Sequence, residues 1–297
     1  MEAGNQTIGF IGVGRLGLPL ALNLAAAGFD VVATSRGRTE ELVAGGGRIA
    51  GDGSARAVAE AAQIVFTCVT DDTALEDVVD GMLSADGSAP TVIQLGVSSI
   101  ALMERLQERL REHGGDLLDC PVSGTPVLAQ TKQAVIFASG DHDGYERIKH
   151  VIAAIAPINV FVGPLGAGTN FKYVANLLAF VHVTVAAEAM AFAAAAGLDL
   201  NLVAGVISKS AGATSGQFNI RAPLMAQGNF ENPMVTVDQM REVCAHICTH
   251  AEELGAATPL VSVVRDLYEE FAATGEGASD PGKLVLYLQQ KAAAGAR

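Results

Sequence analysis

The run Ile8-Gly9-Phe10-Ile11-Gly12-Val13-Gly14-Arg15-Leu16-Gly17 limits what this chain can fold into more than any other segment. Ile8–Ile11 is short, apolar and β-rich, and is expected as a strand. G-x-G-x-x-G follows at once, and an Ala/Leu-rich segment to Ala27 reads as a helix. In that order each glycine has a physical task. Gly12 permits the tight turn, Gly14 lets the backbone approach a pyrophosphate, and Gly17 lets helix and strand pack closely. The helix N-terminus then stabilises the phosphate charge. Arg15 and Leu16 lie between these glycines and join the expected cofactor contacts. A glycine-rich turn alone is a weak signal; strand, loop and helix in sequence make it a dinucleotide site.

The second strand, expected over Val31–Thr34, selects the cofactor. An NAD site usually places an acid at its end for the ribose hydroxyls. Here that end reads Thr34-Ser35-Arg36-Gly37-Arg38-Thr39, with no acid, and Asp30 stands before the strand. Ser35 and the Arg36 guanidinium suit a 2′-phosphate or stacking on adenine. NADP is therefore the expected cofactor, with NAD as the lesser alternative. The competing reading makes Arg36 and Arg38 solvated loop charges.

Further strands are expected at Ile64–Val69, Thr91–Leu95, Asp116–Cys120, Ala134–Ser139 and Val160–Val162, with helices at 100–113 and 144–155. Val69 and Thr70 close the strand before Asp71-Asp72, a loop expected to border the cofactor, with Asp72 as a helix cap. This βα rhythm implies an α/β Rossmann domain with a doubly wound parallel sheet. After Gly163 the pattern changes. Thr169–Ala196 reads as one helix of about 28 residues, followed by helical segments at 201–210, 217–226, 236–254, 258–273 and 280–293. The expected organisation is a dinucleotide-binding domain over 1–164 and an all-α C-terminal substrate and dimerisation domain over 165–297, joined by the long interdomain helix.

Composition agrees. A chain of 297 residues makes about two domains. A net charge of −13 argues against a nucleic-acid partner, which needs a basic surface. Cys68, Cys120, Cys244 and Cys248 show no framework spacing and read as reduced thiols of a cytoplasmic protein. The polar start, Met1–Thr7, does not resemble a signal segment. Leu177–Leu198 is apolar, but His182 and Glu188 interrupt it, so it reads as a buried helix rather than a membrane span; His182 then reads as a core histidine. No metal site is expected. Cys244 and Cys248 share one helix face, whereas His246 and His250 lie about 200° away.

Three further segments bear on the chemistry: Asp119-Cys120-Pro121-Val122-Ser123-Gly124-Thr125, Gly166-Ala167-Gly168-Thr169-Asn170-Phe171-Lys172 with Asn176, and Arg241-Glu242-Val243. With the opening motif, the first two resemble the β-hydroxyacid dehydrogenase family (3-hydroxyisobutyrate dehydrogenase, tartronate semialdehyde reductase and glyoxylate/succinic semialdehyde reductase-like enzymes). The resemblance spans roughly residues 8 to 275. It implies a Rossmann domain, a helical C-terminal domain and a cleft between them. By the same resemblance Lys172 is the proton donor and acceptor, Asn176 orients the substrate, and Ser123 and Gly124 bind its carboxylate. Ser98 lies near the nicotinamide ribose, and Arg241 stands where a lysine commonly binds anions.

The chemistry is coherent without the name. Hydride transfer leaves an alkoxide that needs a proton, and a lysine with a lowered pKa can both give and take one. Asn176, four residues on, shares its helix face. Several positions depart from the family pattern. Thr125 replaces a glycine and adds a methyl and a hydroxyl to the expected substrate site. Gly96 stands where an aspartate is common, and Arg241 replaces lysine.

The expected function is an NADP(H)-dependent oxidoreductase that interconverts a small hydroxy acid and its aldehyde or keto form, working as a homodimer or homotetramer. The alternatives are an imine reductase on the same scaffold and a non-catalytic dinucleotide-binding redox sensor. Retention of Lys172, Asn176 and Ser123 argues against both.

Overall fold

The computed structural model describes residues 6–69 and 71–295. They form two compact units, one ending at Lys172 and the other beginning at Tyr173. The division between these units falls inside the long helix.

The first unit holds strands β1 (Thr7–Ile11), β2 (Asp30–Ala33), β3 (Arg48–Ile49), β4 (Ile64–Thr67), β5 (Thr91–Gln94), β6 (Asp116–Asp119), β7 (Val122–Ser123), β8 (Val135–Ser139) and β9 (Ile158–Gly163). Its helices are α1 (Gly17–Ala26), α2 (Thr39–Ala44), α3 (Ala55–Ala61), α4 (Asp72–Leu83), α5 (Ile100–Glu112), α6 (Pro126–Gln130) and α7 (His142–Ile155). The sheet order is β3-β2-β1-β4-β5-β6-β8-β7, with β9 beside β8. From β3 to β6 every pair is parallel; β8 runs antiparallel to β6 and β7, and parallel to β9.

Both sheet faces are buried because apolar residues occupy both alternations of each strand. Ile8, Phe10, Val31, Ala33, Phe66, Ile93 and Leu118 pack on one side with Leu20, Leu24, Tyr145 and Ile152 of α1 and α7. Val32, Val65, Val92 and Leu117 pack on the other with Val58, Val79, Leu102 and Leu106 of α3, α4 and α5. The chain reverses its winding beside β1 and β4, the position at which doubly wound sheets bind ligands at their strand C-termini.

Helix α8 runs over Ala167–Ala195. From Tyr173 on it belongs to the second unit, with α9 (Leu200–Ile207), α10 (Gly216–Gln227), α11 (Val237–Glu253), α12 (Pro259–Phe271) and α13 (Leu284–Gly295). By length and apolar composition α8 could cross a membrane. One of its faces instead forms a protein core. Phe180, Val183, Ala187 and Met190 pack with Phe218, Met240, Cys244, Tyr268 and Phe271. The opposite face is apolar and uncovered. Leu178, Val185 and Phe192, each seven residues apart, are 50, 56 and 74 % exposed. The helix is thus buried on one face only, and His182 is exposed on the other rather than held in the core as expected. It lines a groove of about 720 Å³ with Val185, Phe192, Leu202, Val206 and Phe218.

Candidate active site and cofactor-binding loop

The glycine loop leaves β1 at the winding reversal. Gly12 has φ +97°, and a Cβ there would meet the carbonyl oxygen of Cys68 at 2.3 Å. A Cβ on Gly17 would meet the Gly12 carbonyl oxygen at 2.0 Å. Both positions therefore admit only glycine. Gly14 is exposed with no protein atom within 4 Å of a built Cβ, so a ligand can reach its backbone. Leu16 precedes α1 and supplies no side-chain cap. The Leu18 N–H donates to the Gly14 carbonyl at 3.1 Å and Pro19 has no N–H, so it is the positive end of the helix dipole at Gly17 that favours an anion here, which fits a dinucleotide pyrophosphate. Arg15 is exposed beside this end.

The turn after β2 is tied to this loop. The Arg38 N–H donates to the Val13 carbonyl at 2.9 Å, and Val13 and Gly37 form a bridge. Ser35 donates its N–H to the Gly53 carbonyl at 3.0 Å. The two arginines differ. Arg38 is held by Glu41 through two contacts of 2.6 Å. Arg36 is exposed and has no hydrogen-bond or ion-pair partner among the described residues. Asp30 sits at the far end of β2, paired with Arg48 at 2.7 Å.

Two more strand ends converge nearby. Val69 is half-buried beyond β4, and the Cys68 N–H donates to the Ile11 carbonyl at 2.8 Å. The expected contact at Thr70 lies outside the described residues. Asp71, rather than Asp72, caps α4, accepting the Ala74 N–H at 2.8 Å. Asp72 accepts the Ser99 N–H at 3.0 Å and so ties the loops after β4 and β5 together. Ser98 is buried. It accepts from Gln94 Nε2 at 3.0 Å, and Gln94 Oε1 accepts from Thr67 Oγ1 at 2.6 Å. Sequence reasoning missed this buried chain of polar side chains, since Thr67 and Gln94 look like ordinary strand residues.

The strand carrying the expected anion contacts follows β6. Its Cys120 and Val122 N–H groups donate to the carbonyls of Gln94 (2.9 Å) and Leu95 (3.0 Å). Ser123 is half-buried and pairs with Val135; Gly124 is exposed and lies against Ala134. Thr125 caps α6, its hydroxyl accepting the Leu128 N–H at 3.3 Å. The hydroxyl expected in the substrate site thus has a local structural partner.

Lys172 is half-buried on the second turn of α8, and burial alone pushes its ammonium pKa down to about 8. Asn176 follows one turn later on the same helix and is also half-buried. Arg241, on α11 of the second unit, is engaged by Glu269 at 2.9 Å and Asp238 at 3.4 Å. Its buried Nε–H has no partner among the described residues. Cys244 and Cys248 point into the helical core, whereas His246 is exposed.

A Rossmann sheet with an open glycine loop, followed by an all-helical unit, defines a class of nicotinamide-dependent oxidoreductase. Comparisons with known proteins narrow it. Residues 7–163 match the family model of the NAD-binding domain of 6-phosphogluconate dehydrogenase. Residues 166–288 match that of the NAD-binding region of NADP-dependent 3-hydroxyisobutyrate dehydrogenase. The chain is 28 % identical to 2-hydroxy-3-oxopropionate reductase of Escherichia coli, over 95 % of this chain and 97 % of that one. It is 30 % identical to L-threonate dehydrogenase of Cupriavidus necator, over 95 % of each. The crystal structure of 3-hydroxyisobutyrate dehydrogenase from Salmonella typhimurium superposes with a TM-score of 0.86 at 26 % identity, covering 95 % of this chain and all of that one. The chain belongs to the β-hydroxyacid dehydrogenase family and is an NAD(P)-dependent hydroxyacid dehydrogenase or reductase.

Proposed function

We propose that this enzyme prefers NADP(H) and interconverts a small hydroxy acid and its aldehyde or keto form, with Lys172 as the acid–base group. The observation that carries the reading is the state of Lys172. A half-buried ammonium with a pKa near 8 exchanges its proton close to neutrality, as an alkoxide-forming reaction requires. A bound nicotinamide supplies the hydride chemistry. The protein then has three tasks. Gly12, Gly14, Gly17 and the uncapped start of α1 hold the pyrophosphate. Ser123 and Gly124 take the substrate carboxylate. Lys172 protonates the reacting oxygen in reduction and accepts its proton in oxidation, while Asn176 orients that oxygen.

NADP preference is supported by Arg36, which has no partner among the described residues, in a turn bonded to the glycine loop, with Arg38 already neutralised by Glu41. A cytoplasmic location is supported by four free cysteines. Homo-oligomer formation, as a dimer or a tetramer of dimers, is supported by the apolar stripe on α8 and its groove, which a second copy would cover through the same surface.

The test is a turnover panel followed at the NADPH absorbance band: 2-hydroxy-3-oxopropionate, glyoxylate and succinic semialdehyde for reduction, L-threonate and 3-hydroxyisobutyrate for oxidation, and cyclic imines. Acid substrates turn over, and Lys172→Ala lowers kcat by about 10²–10⁴ with little change in NADPH affinity. Turnover of imines alone would favour an imine reductase; cofactor binding without turnover would favour a sensor.

A further inference from the structure

Gly166 precedes α8 and offers no side chain, and the Ala167 N–H donates to the Pro164 carbonyl at 3.0 Å. Acceptors for the next two N–H groups come from two strands. The Thr169 N–H donates to Asp119 Oδ2 at 2.8 Å, and the Thr169 hydroxyl donates to Oδ1 at 2.9 Å. Ser139 donates its hydroxyl to Asp119 Oδ2 at 3.0 Å and accepts the Gly168 N–H at 2.9 Å. Asp119 is 0 % exposed, at the C-terminal end of β6; Ser139 pairs with it from β8. Burial holds its carboxyl above the usual range, while the hydrogen bonds from Thr169, Ser139 and the Gly166 backbone work against that shift. Both carboxylate oxygens receive donors, as an ionised group requires. A negative charge is also favourable beside a helix N-terminus.

This cap constrains more than position. One residue, Thr169, reaches both oxygens of one carboxylate, through its N–H and its hydroxyl. That double contact fixes the rotation of the helix as well as its depth. Depth is further limited at Gly168, where a Cβ would meet the Phe137 carbonyl oxygen at 2.5 Å, the Asp119 carbonyl oxygen at 2.8 Å and Pro121 Cδ at 3.0 Å. Lys172 follows Thr169 by three residues, about one turn. Asp119 also ends β6, from which the chain leads through Pro121 to Ser123 of β7. The same carboxylate therefore joins the strand bearing the anion contacts to the helix bearing the lysine.

We infer that Asp119 is a positioning residue, which with Ser139 and Thr169 locks the first turns of α8 and so sets where Lys172 is presented relative to the Ser123 strand. The inference rests on the reading of Lys172 as the acid–base group. A shift of about 1 Å in a reacting group can cost about 10²-fold in rate, so the lock is worth far more to turnover than to binding.

The test uses the full-length protein and four variants: Thr169→Val, Thr169→Ser, Asp119→Asn and Lys172→Ala. Two readouts are taken: kcat and KM on the panel above, and the pH dependence of Lys172 carbamylation by cyanate, followed by peptide mass spectrometry without substrate. Thr169→Val is nearly isosteric and removes one contact. It should lower kcat by about 10- to 100-fold, leave KM for NADPH within about twofold, and move the labelling midpoint upward from about 8. Thr169→Ser should restore both. Asp119→Asn should act in the same direction and more strongly; if it does not fold, the Thr169 pair decides. A folded Thr169→Val protein with wild-type kcat and an unchanged labelling midpoint would overturn the inference. So would a loss of activity that merely follows the folded fraction. If Lys172→Ala turns over normally, the acid–base reading fails, while the labelling midpoint still reports separately on whether Thr169 places the lysine.

Discussion

In the Rossmann unit, side chains sent to either sheet face meet helices of that same unit: Val32 and Val65 meet Val58 and Leu102, while Phe10 and Phe66 meet Leu20 and Ile152. In the helical unit, α8 buries Phe180, Val183 and Met190 but leaves Leu178, Val185 and Phe192 uncovered. The first unit covers both faces of its sheet and leaves polar strand ends at its edge. The second leaves an apolar stripe of α8 exposed. Doubly covered sheets put function at their C-terminal edges; a large exposed apolar surface usually marks a partner site.

The largest expected effect breaks the second half of this contrast. Val185→Glu with Phe192→Glu places two charges on the uncovered stripe. Each buried apolar side chain is worth about 1.5–3 kcal/mol, so losing two weakens association by about 10²-fold or more, before the cost of burying the charges. Sedimentation velocity should show the oligomer collapse to 30.5 kDa monomers. A wild-type protein already monomeric at micromolar concentration would remove the need for a partner.

The next effect sharpens the first half. Arg36→Asp would remove the proposed charge-assisted contact to the 2′-phosphate, worth about 1.5–3 kcal/mol. The ratio of kcat/KM for NADPH over NADH should fall by about 10- to 100-fold, while Arg38→Ala should change it little because Glu41 already holds that guanidinium. Equal efficiency of the wild type with both cofactors would contradict the assignment. The smallest effect concerns backbone strain beside Ser123 and Gly124. Lys132, in the turn after α6, sits at φ +56°. Lys132→Gly should stabilise the protein by about 1 kcal/mol, read as a modest rise in the urea midpoint.

Much of this was legible from sequence for identifiable reasons. β1, β4 and β5 are β-rich runs bounded by polar or glycine residues, and the glycine loop follows its strand directly. By contrast, β3 and β7 have two residues each, too short for any period to register. Helices α2 and α3 are also short, and were not anticipated. The family resemblance pointed to Lys172 and Asn176. The sequence could not show what holds their helix, because Asp119 meets Ser139 across 20 residues and Thr169 across 50. Nor could it separate Arg36 from Arg38, a distinction made only by the pairing with Glu41. His182 misled because an apolar neighbourhood in sequence resembles a core even when it is an uncovered surface.

The central claim is that Lys172 exchanges the proton. Stopped-flow measurement of the hydride-transfer step against pH, in wild type and Lys172→Ala, tests it most directly. Oxidation needs the neutral amine, so its rate should rise with pH through about 8; reduction needs the ammonium, so its rate should fall through the same value. Lys172→Ala should be slow and flat across that window in both directions. A variant that keeps the wild-type rate, or the same inflections near 8, would contradict the account.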